Sequence, residues 1–129
     1  MKLDILIFTA HPDDAELGMG GTIAKSVAEG KRVGVIDFTE AELSSNGTVE
    51  TRKLETDEAS KILGIQFREN LKFPDGKVKQ NDEFVTEVVK MIRFHQPEFV
   101  FAPFFNDRHP DHVGASKVVK DAVFYSGLK

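Results

Sequence analysis

Two short clusters, His11-Pro-Asp-Asp14 and His109-Pro-Asp-His112, contain three of the chain's four histidines, each close to an aspartate. Two neutral imidazoles and one carboxylate form a catalytic zinc set that leaves a coordination position open for water. Zinc lowers the pKa of that water from about 15.7 to near 7, and a carboxylate that reaches the water without binding the metal serves as general base. Asp13 and Asp14 can divide the coordinating and proton-accepting roles in either order. Either His109 or His112 can be the ligand; the other would polarise a carbonyl or protonate a leaving group, with Asp111 holding its ring. Each cluster alone resembles a capped turn, with Asp13 or Asp111 as the cap. Their pairing favours the metal.

That pairing depends on what lies around the clusters. Leu3–Thr9 is a continuous apolar run, the pattern of a strand buried on both faces, and Arg32–Phe38 is a second. Gln66–Leu71 is a shorter strand, and Phe99–Ala102 is read as the next buried one. Helices are expected over Gly18–Gly30, over Thr48–Leu63 with Leu54, Ala59, Ile62 and Leu63 inward, and over Asp82–His95. The last helix carries Ala115, Val118, Val119, Ala122 and Val123 after a loop over Pro103–Asp111. Glu40–Gly47 is a loop, and Phe73-Pro-Asp-Gly76 a turn. Alternating strands and helices predict an α/β domain, a Rossmann-like three-layer α/β/α sandwich with a mainly parallel sheet. Ligands of such sheets bind beyond the carboxyl ends of the strands, where both clusters fall.

Composition narrows the classes. The 129 residues suit a single domain, and a net charge of −4 disfavours nucleic acid and anionic membranes as partners. With no cysteine, thiolate metal sites, disulfides and cysteine nucleophiles are excluded. The apolar run before His11 is too short for a signal-peptide core or a membrane span, so a soluble, cytoplasmic protein is expected.

Other features have plainer readings. Gly18-Met-Gly20-Gly21 lacks the last position of a dinucleotide fingerprint and follows a negatively charged loop; close packing of helix on sheet is the expected reason for its glycines. His95 is read as a C-terminal helix cap. Most phenylalanines belong to the core, with Phe104 and Phe105 as candidates for a pocket lining.

The chain resembles the LmbE-like (PIG-L) family of zinc-dependent N-acetylglucosamine deacetylases. The resemblance is carried by Ala10-His-Pro-Asp-Asp14, Glu16-Leu-Gly-Met-Gly-Gly21 and Asp107-Arg-His-Pro-Asp-His112, with Gly47-Thr48 and Arg52 between them. It implies His11, Asp14 and His112 as ligands of Zn2+, with Fe2+ as an alternative in the cell. It also implies Asp13 as general base, with His109, oriented by Asp111, stabilising the oxyanion or helping to protonate the amine. Arg52, Glu42 and Arg108 match substrate-facing positions. The implied reaction is removal of the N-acetyl group from a small N-acetylglucosamine conjugate, the bacillithiol precursor N-acetylglucosaminyl malate being the nearest match; homo-oligomers are common among such relatives.

The chain departs from that family in two respects. Family members are longer, so residues 1–129 are expected to form one deacetylase domain without the family's C-terminal part. That leaves a truncated, non-catalytic metal- or sugar-binding domain as the alternative. Glu40 also stands where the nearest relatives usually carry a basic residue, which puts the aglycone in question.

Overall fold

A computed structural model describes residues 2–128. Its elements alternate as expected: β1 (Ile5–Thr9), α1 (Asp14–Ala28), β2 (Val33–Asp37), α2 (Val49–Leu63), β3 (Phe67–Asn70), α3 (Asp82–His95), β4 (Phe99–Phe101) and α4 (Pro110–Ser126). The four strands form one parallel sheet in the order β3-β2-β1-β4.

The continuous apolar runs follow from two covered faces. Leu6 and Phe8 of β1 join Ile36 and the α3 and α4 residues Phe84, Val88, Val118 and Ala122 in one core. Ile7 of β1 joins Val33, Val35 and the α1 residues Ala15 and Ile23 in the other. Successive strand residues point to opposite faces, so a strand between two helical layers must be apolar at every position. Among the described residues, no helix is long and apolar enough to cross a membrane.

Four expectations are corrected. Helix α1 begins at Asp14 rather than Gly18, and a Cβ added at Gly18, Gly20 or Gly21 would meet nothing within 4 Å. Close packing therefore does not explain these glycines, and nothing else in the structure does. Helix α2 buries no residue fully: Leu54 is 70% and Ile62 77% exposed, contrary to the inward assignment, whereas Ala59 and Leu63 are half-buried. Strand β4 is an edge strand paired only with β1, so Phe99 is 54% and Phe101 38% exposed instead of buried.

Helix α3 matches its expected bounds, with Phe84, Val85, Val88 and Ile92 buried. His95 does not cap it, however. Its ring is buried 4.4 Å from that of Phe67, and Gln96 takes the left-handed C-cap position at φ 46°.

The topology places the site. From β1 the chain steps outward to β2 and β3, then returns to lay β4 on the other side of β1. The crevice between the carboxyl ends of β1 and β4 is the switch point where parallel α/β sheets take ligands. The two histidine clusters leave those strand ends and start α1 and α4.

Candidate metal centre

Each cluster is a junction from strand to helix. Pro110 opens α4, where a missing N–H costs nothing and its fixed φ suits the helix. His109 is the cap: its Nδ1 accepts the Asp111 N–H at 3.1 Å. At the other junction Asp13 takes the N-cap position of α1 at φ 89°, and its side chain makes no cap bond. The carboxylate of Asp13 is thus left for other work, at the cost of a backbone conformation that few residues other than Gly, Asn and Asp adopt.

Asp14 Oδ2 lies at the hub. It accepts the His11 N–H at 3.0 Å and lies 3.6 Å from His11 Nδ1 and 3.3 Å from His112 Nε2. Donor atoms of His11, Asp14 and His112 all fall within 4.8 Å of one another, as do those of His11, His109 and Asp111. Hydrogen bonding separates the two sets. Asp111 is buried and its carboxylate is already engaged, accepting from His11 Nε2 at 2.9 Å and from the Gly76 and Val78 N–H groups at 2.9 and 3.1 Å. His11, Asp14 and His112 form the set with donor atoms to spare.

Both imidazoles of that set are backed by carboxylates on their far nitrogens. His11 Nε2 meets Asp111 and, at 3.2 Å, Asp75; His112 Nδ1 lies 3.4 Å from Asp107. This arrangement fixes ring orientation and raises ligand basicity. Asp111 orients His109 through its backbone N–H, while its carboxylate holds the ring of His11. Because His109 Nδ1 accepts a backbone N–H, the ring proton of the neutral form sits on Nε2, which makes His109 a donor at that nitrogen.

The remaining candidates separate. Arg52 Nη1 lies 3.6 Å from Asp13 Oδ2, and its Nη2 donates to Ser44 at 2.8 Å. With Pro12, Asp37, Glu40 and Arg68 it lines a cavity of about 390 Å³ at the carboxyl ends of β2 and β3. Glu42 is exposed and accepts the Asp75 N–H at 2.8 Å, so it holds the turn that faces His11 and does not line this cavity. Arg108 is exposed beside His109 and is not part of that wall either. Phe104 lines a separate groove of about 530 Å³ that includes Asp14 and His112; Phe105 packs against Phe104 at a tilt but does not line it.

This architecture has known counterparts. Residues 6–123 match the family described as PIG-L, GlcNAc-PI de-N-acetylase. The chain belongs to the PIG-L family. It is 31% identical to the diacetylchitobiose deacetylase of Thermococcus kodakarensis, with 96% of this chain and 50% of that protein aligned. A conserved protein of Thermus thermophilus superposes with a TM-score of 0.95 at 47% identity, over 98% of this chain and 58% of that one. The N,N'-diacetylchitobiose deacetylase of Pyrococcus horikoshii superposes with a TM-score of 0.89 at 28% identity, over 96% of this chain and 50% of that one. This PIG-L chain spans about half the length of the curated relatives it matches.

Three groups around the PIG-L centre escaped the reading of the sequence. Asp75 sits in a segment read only as a turn, and Asp107 was quoted as part of a motif without a role. The third is a buried ion network. Arg68 of β3 donates to Asp37 at 2.9 Å and to Glu16 of α1 at 3.1 Å, and Thr9 Oγ1 donates to Asp37. Burial pushes the Asp37 carboxyl up while Arg68 opposes it. The network ties the first turn of α1, which carries Asp14, to three strand ends.

The charges around His11 yield a prediction. Burial alone would lower its pKa, but hydrogen bonds to Asp14 and Asp111 and the charge of Asp75 raise it from 6.5 to about 9. In the metal-free protein a proton on Nδ1 therefore stands beside Asp14, on the side of the ring where a cation would sit. Metal binding at pH 7 should release about one proton, and apparent affinity should climb until pH passes about 9. Titration calorimetry in two buffers of different ionisation enthalpy measures that proton. The stability of the metal-free chain runs the opposite way. The raised pKa contributes stability fully below 6.5, and that contribution disappears as pH rises through about 9.

Proposed function

We propose that this PIG-L chain holds one divalent cation, zinc by its donor chemistry, through His11, Asp14 and His112, and hydrolyses the N-acetyl amide of a glucosamine conjugate. The supporting observation is the convergence of these three side chains, each imidazole backed by a carboxylate, at the switch point of a PIG-L sheet. Iron(II) suits the same two-imidazole, one-carboxylate set. Bound there, a divalent cation lowers the pKa of water and polarises a carbonyl.

The chain's own residues supply the rest. Burial and neighbouring Asp14 raise the Asp13 carboxyl above the usual range, with Arg52 pulling against them, which makes Asp13 a stronger base than an ordinary aspartate. Asp13 takes the proton as water adds to the acetyl carbon. The His109 Nε2 proton donates to the oxygen that gains charge, the interaction on which acyl transfer most depends. The C–N bond then breaks as the nitrogen takes up the proton held by Asp13, and acetate and a free amine leave. Asp111 and Asp107 keep the two imidazoles in place throughout.

The diacetylchitobiose deacetylases among the relatives make an N-acetylated sugar the substrate class to test. The malate conjugate expected from the resemblance is one candidate within that class. A second reading is a metal- or sugar-binding domain without turnover, which the same donor cluster would also serve. Amine release from N-acetylglucosamine conjugates should appear with zinc and vanish with a chelator. Metal bound stoichiometrically without any release would favour the second reading.

A further inference from the structure

We propose that the cavity beside Asp13 accepts the aglycone and selects a neutral, hydroxyl-rich one, a second sugar, over a carboxylate-bearing one, with Glu40 as the residue that sets this choice. The inference rests on the hydrolytic reading above and goes further by naming the substrate's other half.

The cavity adjoins the metal cluster. Pro12, between His11 and Asp13, is on its wall, and so is Arg52, which pairs with Asp13. Whatever extends from a sugar held at His11, Asp14 and His112 has this space next to it. A volume of about 390 Å³ lies within the range of small-molecule sites.

Its charge is less balanced than the lining suggests. Four bases and four acids line it: Arg52, Lys53, Arg68 and Lys72 against Asp37, Glu40, Asp57 and Glu69. Three of the bases are already committed. Arg68 is shared between Asp37 and Glu16, Lys53 is paired to Asp57 at 2.8 Å, and Arg52 lies against Asp13 and Ser44. Glu16 and Asp13 are acids outside the wall, so the bases serve more negative charge than the lining alone contains. Among the described residues, Lys72 is the lining base without a carboxylate within 4.0 Å, and Glu40 and Glu69 are the acids without a base in that range.

A carboxylate ligand would find one unpaired base, the exposed Lys72, against two unpaired acids, and like charges brought together in a partly enclosed site are penalised. A polyol meets no such obstacle. Carboxylates only accept hydrogen bonds, and sugar hydroxyls donate them. Pro12 and Val49 add apolar surface for the C–H face of a ring. Glu69 is exposed on β3, whereas Glu40 is half-buried just beyond β2, so Glu40 has the greater effect on a ligand in the cavity.

The test compares N,N'-diacetylchitobiose with the malyl glycoside of N-acetylglucosamine, using zinc-loaded wild-type and Glu40→Arg proteins. Amine release gives kcat/KM, and calorimetry gives the binding of the two deacetylated glycosides. The wild type should favour the neutral compound by about tenfold or more in both readouts, and Glu40→Arg should move the ratio about tenfold or more towards the malyl compound. Glu40→Gln, which keeps the side chain's shape, should move it the same way by less. Equal or better handling of the malyl compound by the wild type, or a ratio unmoved in both variants, overturns the proposal. If neither compound is turned over, the hydrolytic reading fails, and the binding ratio alone decides the charge selection.

Discussion

Asp13→Asn should retain the metal and lose turnover by roughly 10²–10⁴-fold, the range supplied by a positioned general base. The backbone argues that this variant folds. Asp13 sits at φ 89°, and asparagine is among the few residues that accept the left-handed region without a large penalty. The side chain is 56% exposed and makes no cap bond to α1, so the main loss is its 3.6 Å contact with Arg52. Ion pairs that exposed contribute little, and stability should change by less than about 0.5 kcal/mol. The proposed ligand set His11, Asp14 and His112 is untouched. Elemental analysis should therefore find wild-type metal content in a protein that barely turns over. Asp13→Ala would be a poorer probe, because alanine at this φ adds backbone strain to the chemical loss. Turnover close to wild type in Asp13→Asn would remove Asp13 as the base.

The parts of this centre legible in the sequence are those with short-range signals. His11-Pro-Asp-Asp14 and His109-Pro-Asp-His112 are local patterns at strand ends, and a parallel sheet leaves them little choice but to meet at a switch point. Helix α3 was legible to the residue because Phe84, Val88 and Ile92 repeat at one-turn spacing along a single face. Helix α2 was not: Leu54 and Ile62 are apolar and exposed, and hydrophobicity alone does not say which apolar residues a helix buries. The start of α1 was placed four residues late because the Pro-Asp step after β1 reads as a turn, whereas Asp14 already opens the helix. The carboxylates behind the ligands were the least legible. Asp75 and Asp111 reach His11 through tertiary packing, and nothing in a Pro-Asp-Gly turn announces that its aspartate will face a histidine from another strand end.

That hidden layer has a weak point at Gly114, which the sequence reading passed over. Gly114 lies in α4 one turn beyond Asp111, and a Cβ built there would collide with the Val78 carbonyl and the Lys79 backbone. The neighbour is main chain, so it cannot swing aside as a flexible side chain would. The same stretch of backbone donates the Gly76 and Val78 N–H groups to Asp111, and Asp111 in turn holds His11 Nε2. Those two N–H groups and His11 outweigh burial and keep the Asp111 carboxyl below the usual range. Gly114→Ala should therefore act at two distances. Forcing the 76–79 segment away should cost about 3 kcal/mol of stability, the upper end for overpacking, read as a shifted denaturant midpoint. Loosening the donors to Asp111 should also lower metal affinity by about 10–100-fold, the range for disturbed groups behind a ligand. Asp111→Asn tests the same hold from the other side: its NH2 would face one of the two backbone N–H groups, so it too should lose both metal affinity and stability. A Gly114→Ala protein with wild-type stability and zinc affinity would mean that the loop retreats freely and that Asp111 does not depend on it.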